Sequence, residues 1–307
     1  MENAQHKIRV AVCIPAYNEA KNIRTLIERI LRQRLEKVVI EEIVVISSGS
    51  QDGTNRIIAE TAKLDKRIRI IVEAKRKGKF AAVNRLIQSV KSDIIVLESA
   101  DTLPQEQAVE ELCLTFLDGD VGMAGARTMP LNGKGRFIDF TSSLMWYLHH
   151  LISLERPKFG EMVAFRNIVP ELALTSVDEE GLAAVIKDKG LELKYAPKAV
   201  CYNRGPGTLR DFWKQRRRIF AGHLALKNKT GYCVPTLDGL KIFKVLLENF
   251  PKKYICWTLV SILLEVCARC LGLLDFYLKK EHIRWPAAKS TKELNLKDFD
   301  LNVGFDF

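Results

Sequence analysis

The chain has 307 residues, a formal net charge of +11, and 47% hydrophobic and 28% charged residues. This composition indicates a globular protein with one α/β domain and an appendage, or with two small domains, and excludes a chain too polar to bury a core. The positive charge favours an anionic partner, which leaves nucleic acid, phosphorylated substrates and an anionic membrane face open. The polar N-terminal segment MENAQHKIRV lacks the apolar core of a signal peptide, so we expect the bulk of the chain in the cytosol, without disulfides.

Short apolar runs alternate with longer amphipathic stretches along the first 130 residues. The predicted strands are RVAVCIPA, EEIVVISS, RIRIIVE, SDIIVLES and VGMAGART, and helices are predicted from about 19 to 34, from 52 or 54, from about 78 to 90, and after Pro104. Strands separated by such helices indicate a mostly parallel sheet with right-handed crossovers. Ligands of these sheets bind at the carboxyl ends of the strands, where the connecting loops begin.

Four of these loops carry polar residues that suit a ligand. CIPAYNEAKNI places Tyr17, Asn18 and Glu19 at a helix start, and VVISSGSQDGTNRI forms a tight polar turn around Gly49. AKRKGKFAAVNRL places Lys79 where a helix start would bind phosphate, although the chain has neither a P-loop nor a GxGxxG motif. IIVLESADTLP ends an apolar strand with carboxylates that suit a hard divalent cation. Each loop alone is equally explained as a helix cap or a turn.

In this order and spacing, the four loops resemble a family 2 glycosyltransferase of the GT-A fold over about residues 8 to 225. The family's patterns are a strand ending in Pro-Ala-Tyr-Asn-Glu, an Asp-Asp-Gly-Ser-x-Asp-Gly-Thr loop, a Gly-Lys step and an Asp-x-Asp metal motif. The resemblance implies an α/β fold with a Rossmann-like, mostly parallel central sheet flanked by helices. It implies that Asp101 binds Mn²⁺ or Mg²⁺ on the donor diphosphate. The donor-binding positions that it implies are Pro15, Ala16, Tyr17, Glu19, Ser48, Lys79, Ser99 and Ala100.

Two positions depart from the family's pattern. Ser47 and Ser48 stand where the family carries Asp-Asp, so the carboxylate that often reads the uracil imide is missing. The resemblance implies a UDP-sugar as the donor, and this departure leaves the base open. Ser99-Ala100-Asp101 stands in place of Asp-x-Asp, which leaves one firm carboxylate and Glu98 on the other face of the strand. We therefore expect weak metal binding until the donor diphosphate supplies further ligands.

Two later segments resemble the acceptor half of the family. KFGEMVAFRN places Gly160, Glu161 and Arg166 in the region that the family uses as the floor of the acceptor site. LTSVDEEGLAAVIKDKG resembles the acidic motif whose Asp acts as general base, and either Asp178 or Glu179 fits that role. The alternative is that these acids only stabilise the positive end of the following helix, by about 0.3 to 1 kcal/mol.

The basic stretch WKQRRRIFAGH, residues 213–223, resembles the family's Gln-x-x-Arg-Trp motif. Gln215 and Arg218 occupy its defining positions, and Arg216 lies between them. The resemblance implies that these cations grip the donor diphosphate as its charge grows in the transition state. Ile219 replaces the tryptophan that usually supports an acceptor sugar, which argues against a long-chain polysaccharide synthase. The alternative is a solvated basic helix face.

The C-terminal quarter of the chain has the features of a membrane-associated region. LDGLKIFKVLLENF and YICWTLVSILLEVCARCLGLLDFYL are apolar helical segments flanked by lysines, and Glu265 and Arg269 have the i, i+4 spacing of an ion pair. We expect a monotopic or re-entrant membrane hairpin in preference to a single span. The predicted domains are a GT-A catalytic domain over 1–230, with a donor half over about 8–130 and an acceptor half over about 131–230, a membrane-associated hairpin over 231–285, and a tail over 286–307.

The resemblance thus implies an inverting, metal-dependent glycosyltransferase, and the apolar C-terminal helices predict a place at the cell membrane, with the catalytic domain on the cytoplasmic side. Its predicted partners are a nucleotide-sugar donor and a lipid-linked or glycan acceptor. Within the family, the chain resembles the dolichyl- and polyprenyl-phosphate sugar transferases and the processive polysaccharide synthases of the Gln-x-x-Arg-Trp type. The first alternative is a membrane-anchored binding protein that has lost turnover, motivated by Ser48 and Ser99. Nucleic-acid binding is the less favoured alternative, because no recognised nucleic-acid module is present.

Overall fold

The computed structural model describes residues 7–282 and residue 305. Its described strands form one sheet, which helices cover on both faces. The strands are β1 (Ile8–Ala16), β2 (Val38–Ser48), β3 (Ile68–Glu73), β4 (Ile94–Glu98), β5 (Thr102–Pro104), β6 (Val121–Pro130), β7 (Met162–Arg166) and β8 (Glu192–Asn203). The α-helices are α1 (Ile23–Leu31), α2 (Thr54–Ala62), α3 (Lys79–Ser89), α4 (Ala108–Cys113), α5 (Phe137–Glu155), α6 (Asp178–Asp188), α7 (Leu209–Thr230), α8 (Gly239–Glu248) and α9 (Ile255–Tyr277).

The first half of the sheet is the parallel unit that the sequence predicts. Its strands lie in the order β3-β2-β1-β4, and all their pairings are parallel. The apolar runs are continuous because both faces are buried: Val12 packs into the cluster under α1, and Cys13 packs into the cluster under α3. This arrangement brings the carboxyl ends of β1, β2 and β4 to one edge.

The second half of the sheet is mixed, which corrects the expectation of a mostly parallel sheet for this part of the chain. Strand β7 lies antiparallel between β4 and β6, and β8 is parallel to β6 but antiparallel to β5. Because β7 runs against β4, its first residues meet the last residues of β4: Met162 pairs with Glu98, and the Ser99 N–H donates to the Glu161 carbonyl at 3.0 Å. Strand β7, which belongs to the predicted acceptor half, therefore begins beside the predicted metal position.

The C-terminal helices pack against the catalytic domain. Helix α9 contacts α7 and α5, and α8 contacts α5. The approach to α7 is close at Gly272, where an added Cβ would lie 2.8 Å from the Arg217 carbonyl oxygen. Glu265 and Arg269 of α9 form the predicted ion pair at 2.8 Å. Within residues 7–282 we find no helix with the length and apolarity needed to cross a membrane, so the single span considered from the sequence is not found there.

The predicted tail, 286–307, lies outside the described residues except for Phe305. That ring packs edge-on against Phe140 of α5, at 5.2 Å between centroids, against Tyr254 just before α9, and against Trp257 of α9. Edge-to-face arrangements at this separation are favourable because of the ring quadrupoles. Phe305 thus belongs to an aromatic cluster between α5 and the start of α9.

Candidate active site

A cavity of about 780 Å³ opens at the carboxyl ends of β1, β2 and β4 and extends between α6, α7 and α9. It brings together almost all of the residues that the sequence singles out, although they are spread over two hundred positions. Those that line it are Pro15, Ala16, Tyr17, Glu19, Ser48, Lys79, Ser99, Ala100, Asp101, Gly160, Glu161, Asp178, Glu179, Gln215, Arg216 and Arg218. A cavity of this size suits a small-molecule substrate or cofactor.

Arg166 is the exception, and its assignment to the acceptor region is corrected. It ends β7 and pairs with Ile94, at the opposite end of the strand from Glu161. Its Nε donates to the Val121 carbonyl at 2.8 Å, and its Nη2 donates to the Gly119 carbonyl at 3.2 Å. Because β7 runs antiparallel to β4, the strand carries Arg166 away from the edge where the cavity opens.

The loops after β1 and β2 hold each other in place. The Asn18 N–H donates to Ser50 Oγ at 3.0 Å, and the Glu19 N–H donates to Thr54 Oγ1 at 2.9 Å. Asp52 accepts from the Ala20 N–H at 3.0 Å. Burial raises the pKa of Asp52, but the hydrogen bonds from Thr54 and Ala20 outweigh it and lower the pKa overall. These hydrogen bonds therefore join the two loops at the donor end of the cavity.

Two residues that the sequence reasoning missed lie beside this donor end. The Ser48 hydroxyl donates to Glu73 Oε2 at 2.7 Å, across the pairing of β2 with β3. The guanidinium carbon of Arg76 lies 4.0 Å from the centre of the Tyr17 ring. A carboxylate and a cation thus lie at the site where the family's Asp-Asp is replaced by serines. The only sequence signal was that Glu73 ends a predicted strand and Arg76 lies in the loop that follows it.

Lys79 links the two halves of the site. Its Nζ donates to Glu179 Oε1 at 2.5 Å and to Ser99 Oγ at 3.2 Å. Burial lowers the pKa of Lys79, but the charges of Glu179, Asp178 and Glu161 raise it above the ordinary lysine value. Lys79 is therefore a fixed cation at the centre of the cavity, between the end of β4 and the start of α6.

Asp101 and Glu161 form the candidate metal position. Burial, followed by the negative charge of Asp101, raises the pKa of Glu161 to about 7. Crowded carboxylates of this kind are what a divalent cation neutralises, and Mg²⁺ typically takes one or two carboxylates with substrate phosphates as further ligands. Residues 7–282 and 305 contain no group of three or more His, Cys, Asp or Glu arranged to hold a metal alone. The residues therefore fit a cation that is shared with a diphosphate.

Glu98, considered from the sequence as a second ligand, lies behind this position. Its side chain is buried, accepts a hydrogen bond from Thr102 Oγ1, and leaves Oε2 without a partner among the described residues. Burial raises the pKa of Glu98 to about 8, and the charge of Glu161 adds to the effect. A carboxyl that holds its proton near neutral pH is a poor metal ligand, so Asp101 and Glu161 are the better pair.

The acidic motif separates into two different carboxyl groups at the start of α6. Glu179 is tied to Lys79, and although burial raises the pKa of Glu179, the charge and hydrogen bond of Lys79 lower it overall. Asp178 is fully buried, and its Oδ1 has no hydrogen-bond partner in the described part of the chain. Burial, followed by the charge of Glu179, raises the pKa of Asp178 to about 7. A pKa near the working pH is the property that a general base needs.

The three arginines of the basic run on α7 have two different roles. Arg216 forms two hydrogen bonds with Glu265 of α9, at 2.8 and 2.7 Å, and Arg217 forms a salt bridge with Asp275 of α9. Arg218 donates to the Ser176 carbonyl at 2.8 Å. Burial lowers the pKa of Arg218, and the charges of Asp178, Glu179 and Glu161 partly offset this. Of the three arginines, Arg218 is therefore the one that faces the acids, and Arg216 and Arg217 attach α9.

The inner end of the cavity contains residues that the sequence reasoning did not select. Trp146 and His149 of α5 lie beside Gly160, where an added Cβ would meet the Trp146 ring at 3.5 Å. Lys158 forms an ion pair with Glu180 at 3.0 Å. Only the tertiary fold brings these residues together, so no local sequence motif could have identified them. They extend the cavity past Gly160, on the side where the family resemblance implies the acceptor.

Two family models match this chain. The model described as Glycosyl transferase family 2 matches residues 11–169, more than half of the chain, and the model described as Glycosyl transferase family group 2 matches residues 94–279. The chain therefore belongs to glycosyl transferase family 2. The matched ranges contain the donor loops, the metal position, the acidic motif and the basic helix described above.

Among curated proteins, the chain is 30% identical over 141 residues to glycosyltransferase AglE of Haloferax volcanii, covering 44% of this chain and 46% of that protein. It is 26% identical over 249 residues to the probable glycosyltransferase YdaM of Bacillus subtilis, covering 72% and 57%. It is 26% identical over 226 residues to the poly-beta-1,6-N-acetyl-D-glucosamine synthase of Staphylococcus aureus, covering 69% and 54%. The chain thus spans about half the length of the curated relatives it matches.

Solved structures share the fold. The mannosyltransferase PcManGT of Pyrobaculum calidifontis, in complex with GDP-Man and Mn²⁺, aligns with a TM-score of 0.65 at 20% identity, over 90% of this chain and 88% of that one. The glucosyl-3-phosphoglycerate synthase of Mycobacterium tuberculosis, in complex with Mn²⁺, UDP and phosphoglyceric acid, aligns with a TM-score of 0.52 at 20% identity, over 71% and 78%. A further structure of that synthase contains Mg²⁺ and UDP.

Proposed function

We propose that the chain is an inverting, metal-dependent glycosyltransferase that moves a sugar from a nucleotide-sugar to a membrane-proximal, lipid-linked acceptor. The observation that carries this proposal is the convergence of Asp101, Glu161, Asp178 and Arg218 on one cavity. The nucleotide-sugars and metal ions in the related structures support it.

Each residue has a distinct role in the proposed transfer. The acceptor hydroxyl oxygen forms a bond to the anomeric carbon, its proton passes to the Asp178 carboxylate, and the bond to the donor phosphate breaks with its electron pair. Arg218 and Lys79 stabilise the charge that grows on the departing diphosphate. Asp101 and Glu161 would hold a divalent cation, which would supply further neutralisation of the same charge. If the acceptor is a polyprenyl phosphate, its own oxyanion attacks and Asp178 positions it.

The membrane part of the proposal is supported by the surface of α8 and α9. Large apolar side chains are exposed along it, including Leu240 at 84% and Leu263 at 62% exposure. We call this surface the α8–α9 apolar face, which comprises Leu240, Phe243, Leu247, Ile255, Leu259, Val260, Leu263, Val266, Leu274, Tyr277 and Leu278. Lysines border it at 244, 252, 253 and 279. Apolar side chains with neighbouring lysines suit the interface of an anionic bilayer, with the helices lying in its plane.

Asp101→Ala tests the proposed function. We expect the wild-type protein to release sugar from a nucleotide-sugar in a Mn²⁺-dependent reaction, and Asp101→Ala to lose at least about tenfold in that activity, because one of two metal carboxylates is missing. Asp93→Ala, an exposed aspartate just before β4 at the opposite end of the strand, is the matched control and should leave the rate unchanged. Donor binding without any turnover in the wild-type protein would instead favour the degenerate binding protein.

A further inference from the structure

We infer that His282, which follows α9, is a further contact of the donor diphosphate and takes up a proton when the diphosphate binds. This inference rests on the proposed function, because it assumes that a nucleotide-sugar occupies the cavity. His282 lies beyond both matched family ranges, which end at residues 169 and 279. Its place in the cavity wall, its pairing with Asp275 and the cations around it support this role.

The chain turns back at the end of α9 and reaches the cavity. Lys279 has a φ of +51°, and a left-handed residue at this place commonly ends a helix and reverses the chain. The Lys280 N–H donates to the Asp275 carbonyl at 2.9 Å, which closes the turn. Lys280, Glu281 and His282 consequently form part of the cavity wall.

Asp275 attaches this segment to α7. Its side chain is 0% exposed and forms a salt bridge with Arg217 of α7. The same carboxylate lies 3.1 Å from His282 Nε2 and 3.8 Å from Lys280 Nζ. One buried acid therefore holds His282 beside the helix that carries Arg218.

This pairing decides which ring nitrogen of His282 is available to a ligand. Burial raises the pKa of Asp275, but the hydrogen bond and charge of Arg217 outweigh it and lower the pKa overall. The carboxylate is therefore ionised near neutral pH and can only accept, so His282 Nε2 carries the proton and donates it. Nδ1 then carries the lone pair, and it has no hydrogen-bond partner within the described part of the chain. Nδ1 is thus the nitrogen left for a ligand in the cavity.

The surroundings keep His282 neutral until an anion binds. Burial lowers the pKa of His282, Asp275 raises it, and the charges of Lys280 and Arg218 lower it again, so the pKa lies below the ordinary histidine value. The other charged side chains that α7, α9 and this segment contribute to the cavity wall, besides Arg217, are Asp211, Lys214, Arg216, Glu265, Arg269 and Glu281.

A diphosphate is the ligand that this chemistry fits. Arg218, whose charge acts on His282, is the arginine that stabilises the departing diphosphate in the proposed transfer. A phosphate oxygen at Nδ1 favours the protonated imidazole, because the added proton, taken from solvent, supplies both a hydrogen-bond donor and a positive charge. Binding of the diphosphate should therefore be coupled to proton uptake by His282.

Calorimetric titration of the full chain with UDP and with GDP, each with Mn²⁺ and in two buffers of different ionisation enthalpy, counts the protons exchanged on binding. His282→Gln keeps an amide that can donate to Asp275 but cannot take up a proton. At about pH 7 we expect the wild-type protein to take up as much as about one proton more per nucleotide than this variant. Protons exchanged at the metal position cancel in the comparison, because they are common to both proteins.

The affinity should follow the same pattern. We expect His282→Gln to bind the nucleotide about tenfold more weakly than the wild-type protein at about pH 6, and nearly equally at about pH 8, where the imidazole is neutral in both states. His150→Gln is the matched control, because His150 lies on α5, bonds to Tyr195 and does not line the cavity. It should match the wild-type protein in both measurements.

The outcomes are distinguishable. Equal proton uptake by the wild-type protein and His282→Gln overturns the inference and leaves the proposed transferase function intact. A loss of affinity that is the same at both pH values also overturns it, because a merely structural contact has that effect. Absence of binding for both nucleotides, in wild-type protein with a cooperative unfolding transition, contradicts the proposed function itself. Additional proton uptake that disappears in His282→Gln and persists in His150→Gln supports the inference.

Discussion

Lys79 and Glu179 are 100 residues apart in the chain and form an ion pair of 2.5 Å in the centre of the cavity. This contact joins the start of α3, in the donor half, to the start of α6, in the acceptor half. It also determines which acid of the motif can act as base. Glu179 is held by the cation, whereas burial and the neighbouring charge of Glu179 raise the pKa of Asp178 to about 7.

Glu179→Gln should change the pH dependence of the reaction. Burial raises the pKa of Asp178 first, and the charge of Glu179 raises it further, while Lys79 lowers it. Removing the Glu179 charge therefore lowers the pKa of Asp178, and the acidic limb of kcat/KM moves to lower pH. A pH–rate profile of donor hydrolysis measures this shift. An unchanged acidic limb would argue against Asp178 as the titrating base.

The ionisation of three buried carboxyl groups should lower the stability of the metal-free protein as the pH rises from about 7 to about 8. Below about pH 6.5 the buried histidines His149 and His223, whose pKa values are lowered by burial, have the opposite effect. Glu98, Glu161 and Asp178 have folded-state pKa values raised to about 8, 7 and 7, chiefly by burial. Between the ordinary acid pKa and these values the folded state holds protons that the unfolded state releases, so unfolding becomes easier with rising pH. The free energy of unfolding from urea titrations, at about pH 7 and about pH 8 with EDTA, measures the effect.

Added Mn²⁺ should oppose this loss of stability at high pH, because a cation bound by Asp101 and Glu161 stabilises their ionised forms. At the higher pH we expect added Mn²⁺ to raise the free energy of unfolding of the wild-type protein more than that of Glu161→Gln. Stability that is flat or increasing over this pH range would contradict the assignment of buried, protonated carboxyls. An equal Mn²⁺ effect in both proteins would remove Glu161 from the metal position.

Glu265→Gln should destabilise the attachment of α9 to α7. Burial raises the pKa of Glu265, but Arg216 and Arg269 lower it overall, and its side chain is only 13% exposed. Removing the carboxylate leaves two cations without this partner, a change that typically costs about 3 to 5 kcal/mol in unfolding free energy. Urea unfolding of Glu265→Gln and of Glu248→Gln, an exposed glutamate with a long 3.9 Å contact to Lys244, measures the difference. Equal stability of the two variants would contradict the account of the basic run.

Leu240→Glu should weaken binding to anionic lipid vesicles. Leu240 is 84% exposed on the α8–α9 apolar face, and removing one apolar contact and adding a negative charge should reduce binding about tenfold or more. Leu64→Glu is the matched control, because Leu64 is 76% exposed beside α2 and outside that face. Co-sedimentation with phosphatidylserine vesicles measures the effect. No vesicle binding by the wild-type protein, or an equal loss in the control, would contradict a membrane role for this face.

Local patterns predicted the parallel half of the fold and most of the site. The runs that became β1, β2 and β4 are apolar on both faces, and the loops after them carry the polar residues that line the cavity. The mixed half could not be predicted in the same way. Strand direction there depends on how β7 enters between β4 and β6, and no turn or short connection fixes it.

The site residues that were wrongly assigned or missed from the sequence have a similar explanation. The basic run on α7 suggested a common anion clamp, but two of its arginines are bound by Glu265 and Asp275, which lie 49 and 58 residues later. Glu73 was missed because it reaches Ser48 from a neighbouring strand, and such a contact belongs to no local motif. Arg166 was included because it closely follows Glu161 in the sequence, but Glu161 precedes β7 and Arg166 ends it, so the two lie at opposite ends of the strand.

The most direct test is the rate of sugar release from the donor by Asp178→Asn in the presence of Mn²⁺, compared with the wild-type protein. Water must lose a proton when it attacks the donor, so loss of the base should reduce turnover about 10²- to 10⁴-fold. Nucleotide affinity should remain unchanged, because Asp178 acts on the acceptor. Turnover equal to that of the wild-type protein would contradict the account of this cavity as a glycosyl-transfer site with Asp178 as its base.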